Sequence, residues 1–127
     1  MNEYFKFSID GGRRIIKETI FGIWTEEIAK SYSEAFKDAI QPLLGQPWAK
    51  LVDLNNWETS HPDVIQTLGL HLDWAVENGL QYSANILSAS IPRLQLRLMF
   101  KAADTAEISE VFPSEDLALI WLQEKGF

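Results

Sequence analysis

The chain has 127 residues, 46% of them hydrophobic, which is enough for one domain with a real core and too few for two. Because it contains no cysteine, disulfides, thiol catalysis and thiolate metal sites are excluded, in keeping with a reducing compartment. Its formal net charge of −7 repels phosphate backbones and anionic lipid surfaces, so we expect no nucleic-acid partner.

The sequence also bears on location. It has no apolar run near the ~18 residues that suggest a transmembrane helix, and its first residues lack the basic-then-apolar layout of a signal peptide. We therefore expect a single cytoplasmic domain over residues 1–127, with no transmembrane segment.

The first predicted elements are a β-hairpin and a helix. Residues 4–9 alternate in polarity, and the glycines within 10–13 permit a tight reversal into a second strand over about 14–24. Thr25 is expected to cap a helix with an acidic first turn, which should stop before Gly45. The apolar stripe of this helix comprises Ile28, Tyr32, Ala35, Phe36, Ala39, Ile40 and Leu43.

The rest of the chain alternates between strand and helix patterns. The predicted elements are, in order, a strand over 48–54, a helix from Pro62, a strand over 80–89, a helix over 92–102, a strand over 108–112 and a helix capped by Ser114. The inward stripe of the helix from Pro62 is expected to be Val64, Ile65, Leu68, Leu72, Ala75 and Val76. This order predicts an α/β domain with about four helices and a mixed five-stranded sheet, antiparallel in the hairpin and parallel elsewhere.

Three motifs carry a resemblance to a known family. They are Gly22-Ile23-Trp24-Thr25-Glu26-Glu27, Pro47-Trp48-Ala49-Lys50-Leu51-Val52-Asp53, and Phe112-Pro113-Ser114 followed by Ala118 and Trp121-Leu122. With the hairpin-first order, they resemble the SpoIIAA-like family of small bacterial proteins over nearly the whole chain. That family is similar to STAS domains, the fold of anti-sigma-factor antagonists, and to CRAL-TRIO lipid-exchange domains. The resemblance implies the fold more than a function.

The resemblance also suggests a phosphorylation site. In anti-sigma-factor antagonists a strand that ends in Asp precedes a loop with a phosphorylatable Ser at the start of the next helix. Thr59 and Ser60 lie in the corresponding region, after Asp53, and form a candidate phospho-switch loop. The loop lacks the acidic residue before the hydroxyls and the glycine after them, and the alternative is that either hydroxyl merely caps the helix. Asp53 itself is interpreted as a structural group bonded to loop amides.

One cluster suggests metal or acid–base chemistry, namely His61, Asp63, His71 and Asp73. The two histidines are almost three helical turns apart, so their side chains do not converge on one ion, and we interpret the cluster as a polar helix face. No catalytic triad, phosphate loop or paired metal ligands can be assembled elsewhere. The sequence therefore predicts no enzyme activity, no metal and no cofactor.

The predicted helix over 92–102 carries too little polar surface for a helix with one buried side. Its cationic stripe is Arg93, Arg97 and Lys101, and its apolar residues are Leu94, Leu96, Leu98, Met99 and Phe100. Leu70 and Trp74 are predicted to form a second exposed pair on the preceding helix. The candidate interaction or ligand surface is thus Leu70, Trp74, Arg93, Leu96, Arg97, Met99, Phe100 and Lys101. The alternative is that the sheet buries most of these residues and that the arginines pair with acidic side chains.

Two function classes follow. The first is a non-enzymatic regulatory or interaction module that binds another protein or forms a homodimer through its helical faces. The second is a carrier of a small apolar ligand or lipid, in which the 92–102 helix is a lid and Arg93, Arg97 or Lys101 meets a headgroup or carboxylate. A pocket of roughly several hundred Å³ lined by Phe, Leu and Ile would favour the carrier, whereas a solid core with an outer apolar patch would favour the interaction module.

Overall fold

A computed structural model describes residues 4–58, 62–88 and 107–127. Its strands are β1 (Phe5–Asp10), β2 (Ile15–Ile23), β3 (Trp48–Glu58), β4 (Leu80–Ile86) and β5 (Ser109–Phe112). Its α-helices are α1 (Glu26–Ala39), α2 (Pro62–Glu77) and α3 (Glu115–Glu124), and a 3₁₀ turn covers Gln41–Leu43. The predicted helix over 92–102 lies outside the described residues.

The five strands form one mixed sheet in the order β1-β2-β3-β4-β5. β1 and β2 pair antiparallel, and every later pair is parallel. This confirms the predicted sheet, including the hairpin as its antiparallel part. Among the described helices, none combines the length and the apolar character needed to cross a membrane.

Both faces of the sheet are covered, which explains why β2 is apolar on both sides. α1 and α2 pack on one face, where Ile16 and Ile20 join an aromatic layer. The members of that layer are Phe5, Phe7, Trp24, Tyr32, Phe36, Trp48, Trp57 and Trp74. α3 packs on the opposite face, where Ala118 and Leu122 meet Ile15 and Leu51. Side chains alternate along each strand, so successive residues of β2 serve the two cores in turn.

The predicted caps of α1 and α3 are confirmed. The Thr25 hydroxyl accepts a hydrogen bond from the amide of Ile28 at 3.4 Å, and the Ser114 hydroxyl accepts one from the amide of Leu117 at 3.4 Å. Both helices carry acidic residues in the first turn, where the helix dipole favours negative charge. Because α1, α2 and α3 each follow a strand of the parallel part, all three begin at the end of the sheet where those strands finish.

Two sequence predictions for the middle of the chain were wrong. β3 runs four residues beyond Leu54 because β2 keeps pairing with it, across a register shift, as far as Glu58. On α2, Ile65 and Val76 were expected to point inward but are 36% and 44% exposed. The buried stripe runs instead through Val64, Leu68, His71, Leu72 and Ala75, so Ile65 and Val76 fall on its flank.

Candidate functional site

We call the end of the sheet where β2, β3, β4 and β5 finish the carboxyl edge. Open α/β sheets usually carry their functional sites at this end. Asp53 lies near this edge and accepts a hydrogen bond through Oδ1 from the amide of Asn55 at 3.0 Å. That is the structural role expected of it. Thr59 and Ser60 directly follow β3 but lie outside the described residues, so the phospho-switch loop stays a prediction.

A side-chain bridge ties two strand ends together at the carboxyl edge. The Oδ1 atom of Asn55 accepts the amide N–H of Ser88 at 2.9 Å and the hydroxyl of Ser88 at 3.0 Å. The bridge fixes the chain after β4 against the outer part of β3. Sequence reasoning missed it, because the two residues are 33 positions apart and neither belongs to a recognisable motif.

The carboxyl edge is rich in carboxylates. Carboxylates gather at the carboxyl edge, at Glu26, Glu27, Asp53, Glu58, Asp63, Glu115 and Asp116. The opposite end carries both signs of charge, with Arg13, Arg14, Lys37 and Lys125 beside Asp10, Asp38, Glu77 and Glu124. Of the edge carboxylates, Glu26 is paired with Lys30 at 3.1 Å. In the described part of the chain, the carboxyl edge is therefore a strongly acidic surface.

Beneath α1 and α2 lies a buried polar cluster, formed by Glu18, Tyr32, Lys50 and His71. Glu18 Oε2 is 3.4 Å from Lys50 Nζ, and the two side chains are 0% and 6% exposed. The Tyr32 hydroxyl donates to the other carboxylate oxygen of Glu18. The sequence contained a signal for this, since alternation along β2 places Glu18 on the same face as Ile16 and Ile20.

Burial controls the protonation of the cluster. It raises the pKa of Glu18, against the lowering effects of Lys50 and of the hydrogen bond from Tyr32. It also raises the pKa of Tyr32, as does the nearby Glu18 carboxylate. The pKa of His71 lies well below its ordinary value of 6.5, first because of burial and then because of Lys50 and Lys37. The imidazole is therefore neutral at physiological pH.

The interpretation of His71 as part of a polar helix face was wrong. Its side chain is 3% exposed, and its Nδ1 atom lies 2.9 Å from the Ser33 hydroxyl oxygen. The ring packs edge-on against Tyr32 and Phe36, because residue 71 continues the inward stripe of α2. Asp63 and Asp73 are exposed, and His61 lies outside the described residues. Within the described ranges no three His, Asp or Glu side chains are placed to hold a metal ion.

The buried polar cluster borders a cavity of about 40 Å³. Polar atoms without a hydrogen-bond partner among the described residues include His71 Nε2 and Trp57 Nε1, and both side chains line this cavity. The volume suits one or a few water molecules but is far below the ~300 Å³ or more of ligand pockets. Tyr32 and His71 have shifted pKa values, as catalytic residues often do, but this cavity between described residues leaves no room for a substrate.

A larger hollow of about 600 Å³ lies on the other face of the sheet and is open to solvent. Charged residues line much of it, including Lys6, Lys17, Asp53 and Glu115. It is not the closed apolar pocket that a lipid carrier needs.

The two predicted surface residues of α2, Leu70 and Trp74, differ in exposure. Leu70 is 65% exposed, as expected for a contact residue. Trp74 is half-buried, with its ring packed edge-on against Phe36 and with Lys37 Nζ 5.2 Å from the ring centre. The two side chains therefore do not form one continuous apolar patch. The other members of the predicted surface lie outside the described residues, namely Arg93, Leu96, Arg97, Met99, Phe100 and Lys101.

Comparison with solved structures identifies proteins that share this fold. No family model and no curated protein matches the sequence. Among solved structures, the chain is similar to an uncharacterised DUF3478-family protein from Shewanella loihica PV-4, described as having a SpoIIAA-like fold. The TM-score is 0.71 at 16% sequence identity, over 94% of this chain and 93% of that one.

A second solved structure agrees. The chain is similar to the anti-sigma factor antagonist SpoIIAA in its unphosphorylated form, with a TM-score of 0.60 at 10% identity, over 94% of this chain and 96% of that one. The fold is SpoIIAA-like. This confirms the fold implied by the sequence resemblance, and the low identities limit the SpoIIAA-like assignment to the fold.

Proposed function

We propose that this protein is a non-enzymatic regulatory module that docks another protein at its carboxyl edge. The observation that carries the proposal is the bridge between Asn55 and Ser88, which gives this edge a fixed shape. The SpoIIAA-like fold supports it, since one protein of this fold is named an anti-sigma factor antagonist.

The partner is expected to present a basic surface. Exposed carboxylates at the edge, such as Glu58 and Asp63, would attract such a surface and speed its association. Phosphorylation at Thr59 or Ser60 would add roughly two further negative charges beside them. The modification would therefore change affinity without any chemistry performed by this chain.

The same features argue against catalysis and against a carrier role. Tyr32 and His71, two of the groups with shifted pKa values, line a cavity of about 40 Å³, which is too small for a substrate. No observation on the described residues favours the carrier of a small apolar ligand, which remains the alternative. A cytoplasmic location and a homodimeric state belong to the proposal.

Capture from lysate of the native host tests the docking proposal. The tagged wild-type protein is compared with a double variant at the edge, Glu58→Lys/Asp63→Lys. The matched control, Glu77→Lys/Glu124→Lys, makes the same charge change at exposed residues in the last turns of α2 and α3. We expect a protein with a basic surface to bind wild type and the control but not the edge variant.

Native mass spectrometry of the purified protein tests the carrier alternative. The account predicts masses of the bare chain and its dimer. A retained apolar molecule would favour the carrier.

In the capture experiment, equal binding of the partner by the edge variant and by the control would contradict docking at the carboxyl edge.

A further inference from the structure

Among the described strands, β1 is the last at one side of the sheet. On one side it pairs with β2, and within the described residues no strand pairs with its other side. The amide of Phe21 donates to the carbonyl of Tyr4 at 3.0 Å, and these residues lie opposite each other in the antiparallel register. Such pairs alternate along an antiparallel ladder between hydrogen-bonded and non-bonded positions, which fixes the direction of every backbone group in β1.

The alternation divides β1 into two sets. Lys6, Ser8 and Asp10 direct their N–H and C=O groups toward β2, in the same phase as Tyr4. Phe7 and Ile9 direct theirs outward, where no described group receives them. Exposed backbone groups of this kind are a template for another strand.

We propose that this outer side of β1 pairs antiparallel with the β1 edge of a second copy, giving a two-fold symmetric dimer with a continuous sheet. The inference goes beyond docking at the carboxyl edge, because it uses a different side of the sheet. A two-fold axis makes each contact occur twice.

Charge and backbone phase together favour one register. The residues with outward backbone groups must face each other, and a register centred on Ser8 places Phe7 opposite the second copy's Ile9. The same register places Lys6 opposite the second copy's Asp10, so two pairs of opposite charge form across the interface. A register centred on Lys6 would instead place the two lysines against each other. A register centred on Phe7 would place Lys6 opposite the second copy's Ser8 and form no pair of opposite charge.

The side chains of β1 suit this arrangement. Phe7 and Ile9 are half-buried and pack against the core below α1, so their exposed remainders would meet across the new interface. A lysine on an edge strand usually discourages pairing with another edge. Here the Ser8-centred register pairs that lysine with a carboxylate and removes the repulsion.

Hydrogen exchange of backbone amides, measured by NMR at about 10 μM and about 1 mM protein, tests the pairing directly. The amides of Phe7 and Ile9 should exchange at least about tenfold more slowly at the higher concentration. The amides of Lys6 and Ser8 are internal controls, because they bond to β2 and should be protected at both concentrations. Rapid exchange at Phe7 and Ile9 in a sample shown to be dimeric would overturn the proposal, as would a monomer at every concentration.

Charge exchange tests the register. Lys6→Glu and Asp10→Lys should each raise the dimer dissociation constant roughly tenfold, because each places like charges opposite each other. An equimolar mixture of the two variants should recover wild-type dimerisation, since every cross-copy pair is again of opposite sign. Asp10 Oδ1 also accepts the amide of Arg13 at 3.1 Å, so circular dichroism must first show that Asp10→Lys is folded.

If Asp10→Lys does not fold, Lys6→Glu alone and the exchange rates at Phe7 and Ile9 decide the question. A mixture no more dimeric than its components would contradict the register. Lys6→Glu should not abolish partner capture at the carboxyl edge, since it removes no carboxylate there, and Glu58→Lys/Asp63→Lys should leave dimerisation unchanged. The dimer and the docking proposal can therefore fail separately.

Discussion

At the scale of single residues, the most unusual pair is Glu18 with Lys50, whose charges lie 3.4 Å apart with almost no exposure to solvent. Removing two charges from water is expensive, and their attraction and the hydrogen bond from Tyr32 offset that penalty only while all partners are present. The pair is thus weak evidence for stability but makes the cluster sensitive to the loss of any one member.

A double-mutant cycle measures this dependence. Lys50→Met should lower the free energy of unfolding by about 3 to 5 kcal/mol, because it leaves the Glu18 carboxylate buried without its cation. Glu18→Gln should also destabilise, since it leaves Lys50 unpaired. The double variant Glu18→Gln/Lys50→Met should be more stable than Lys50→Met alone. Urea denaturation at pH 7 provides the values, and additive effects would show that the two charges do not interact.

His71 should make the fold sensitive to acid. Its pKa in the folded protein lies well below 6.5, so below pH 6.5 the unfolded chain binds a proton that the folded chain does not. Its stabilising contribution is therefore complete above pH 6.5 and decreases as the pH falls toward the folded pKa, by at most about 1.4 kcal/mol per pH unit.

The measurement compares wild type and His71→Gln by urea denaturation between pH 5 and 8. The difference in unfolding free energy, wild type minus variant, should decrease as the pH falls below 6.5. Glu18 has the opposite sign, because its raised pKa means that stability is lost as the pH rises through that value. Both proteins retain Glu18, so its effect cancels to first order. A difference that stays constant with pH would contradict a buried neutral His71.

At the scale of elements, the sequence predicts the helices and strands that have a periodic pattern. It does not predict where each element ends or which elements contact each other. The hairpin, the caps at Thr25 and Ser114 and the sheet follow from local rules of alternation and capping. The extension of β3 depends on pairing with β2, which no local pattern encodes. His71 was misassigned because its polarity was weighed above its position on the helix.

The carboxyl edge was likewise only partly predictable from the sequence. Most of its acidic residues follow from helix starts that the sequence predicted, but the bridge between Asn55 and Ser88 depends on strands brought side by side. The buried polar cluster likewise joins β2, α1, β3 and α2, and only the position of Glu18 on an otherwise apolar face hinted at it.

Two glycines give a matched test of the element junctions. Gly79 follows α2 with φ at +109°, and an added Cβ would lie 2.9 Å from the carbonyl oxygen of Gln46. Gly79→Ala should therefore lower the unfolding free energy by about 1 to 3 kcal/mol. Gly69, within α2, has open space around its Cβ position, so Gly69→Ala should raise that free energy by about 0.5 to 1 kcal/mol. Thermal or urea unfolding measures both, and equal effects would refute the assigned junction geometry.

At the scale of the whole molecule, the architecture itself gathers carboxylates at the carboxyl edge. Parallel strands that alternate with helices place the starts of all three described helices at one end, and helix starts favour carboxylates. Part of the acidic surface is therefore explained by helix stability. Helix stability does not explain the hydrogen-bonded bridge between Asn55 and Ser88, because that bridge joins strand ends and caps no helix.

The measurement that tests the docking account most directly is the affinity of the captured partner for the two charge-reversal variants, by calorimetry at 0.15 M salt. The account predicts that Glu58→Lys/Asp63→Lys weakens binding at least about tenfold, whereas Glu77→Lys/Glu124→Lys changes it less than about twofold. Equal weakening by both variants would mean that only net charge matters, and stronger weakening by the control would place the docking surface at the opposite end of the molecule.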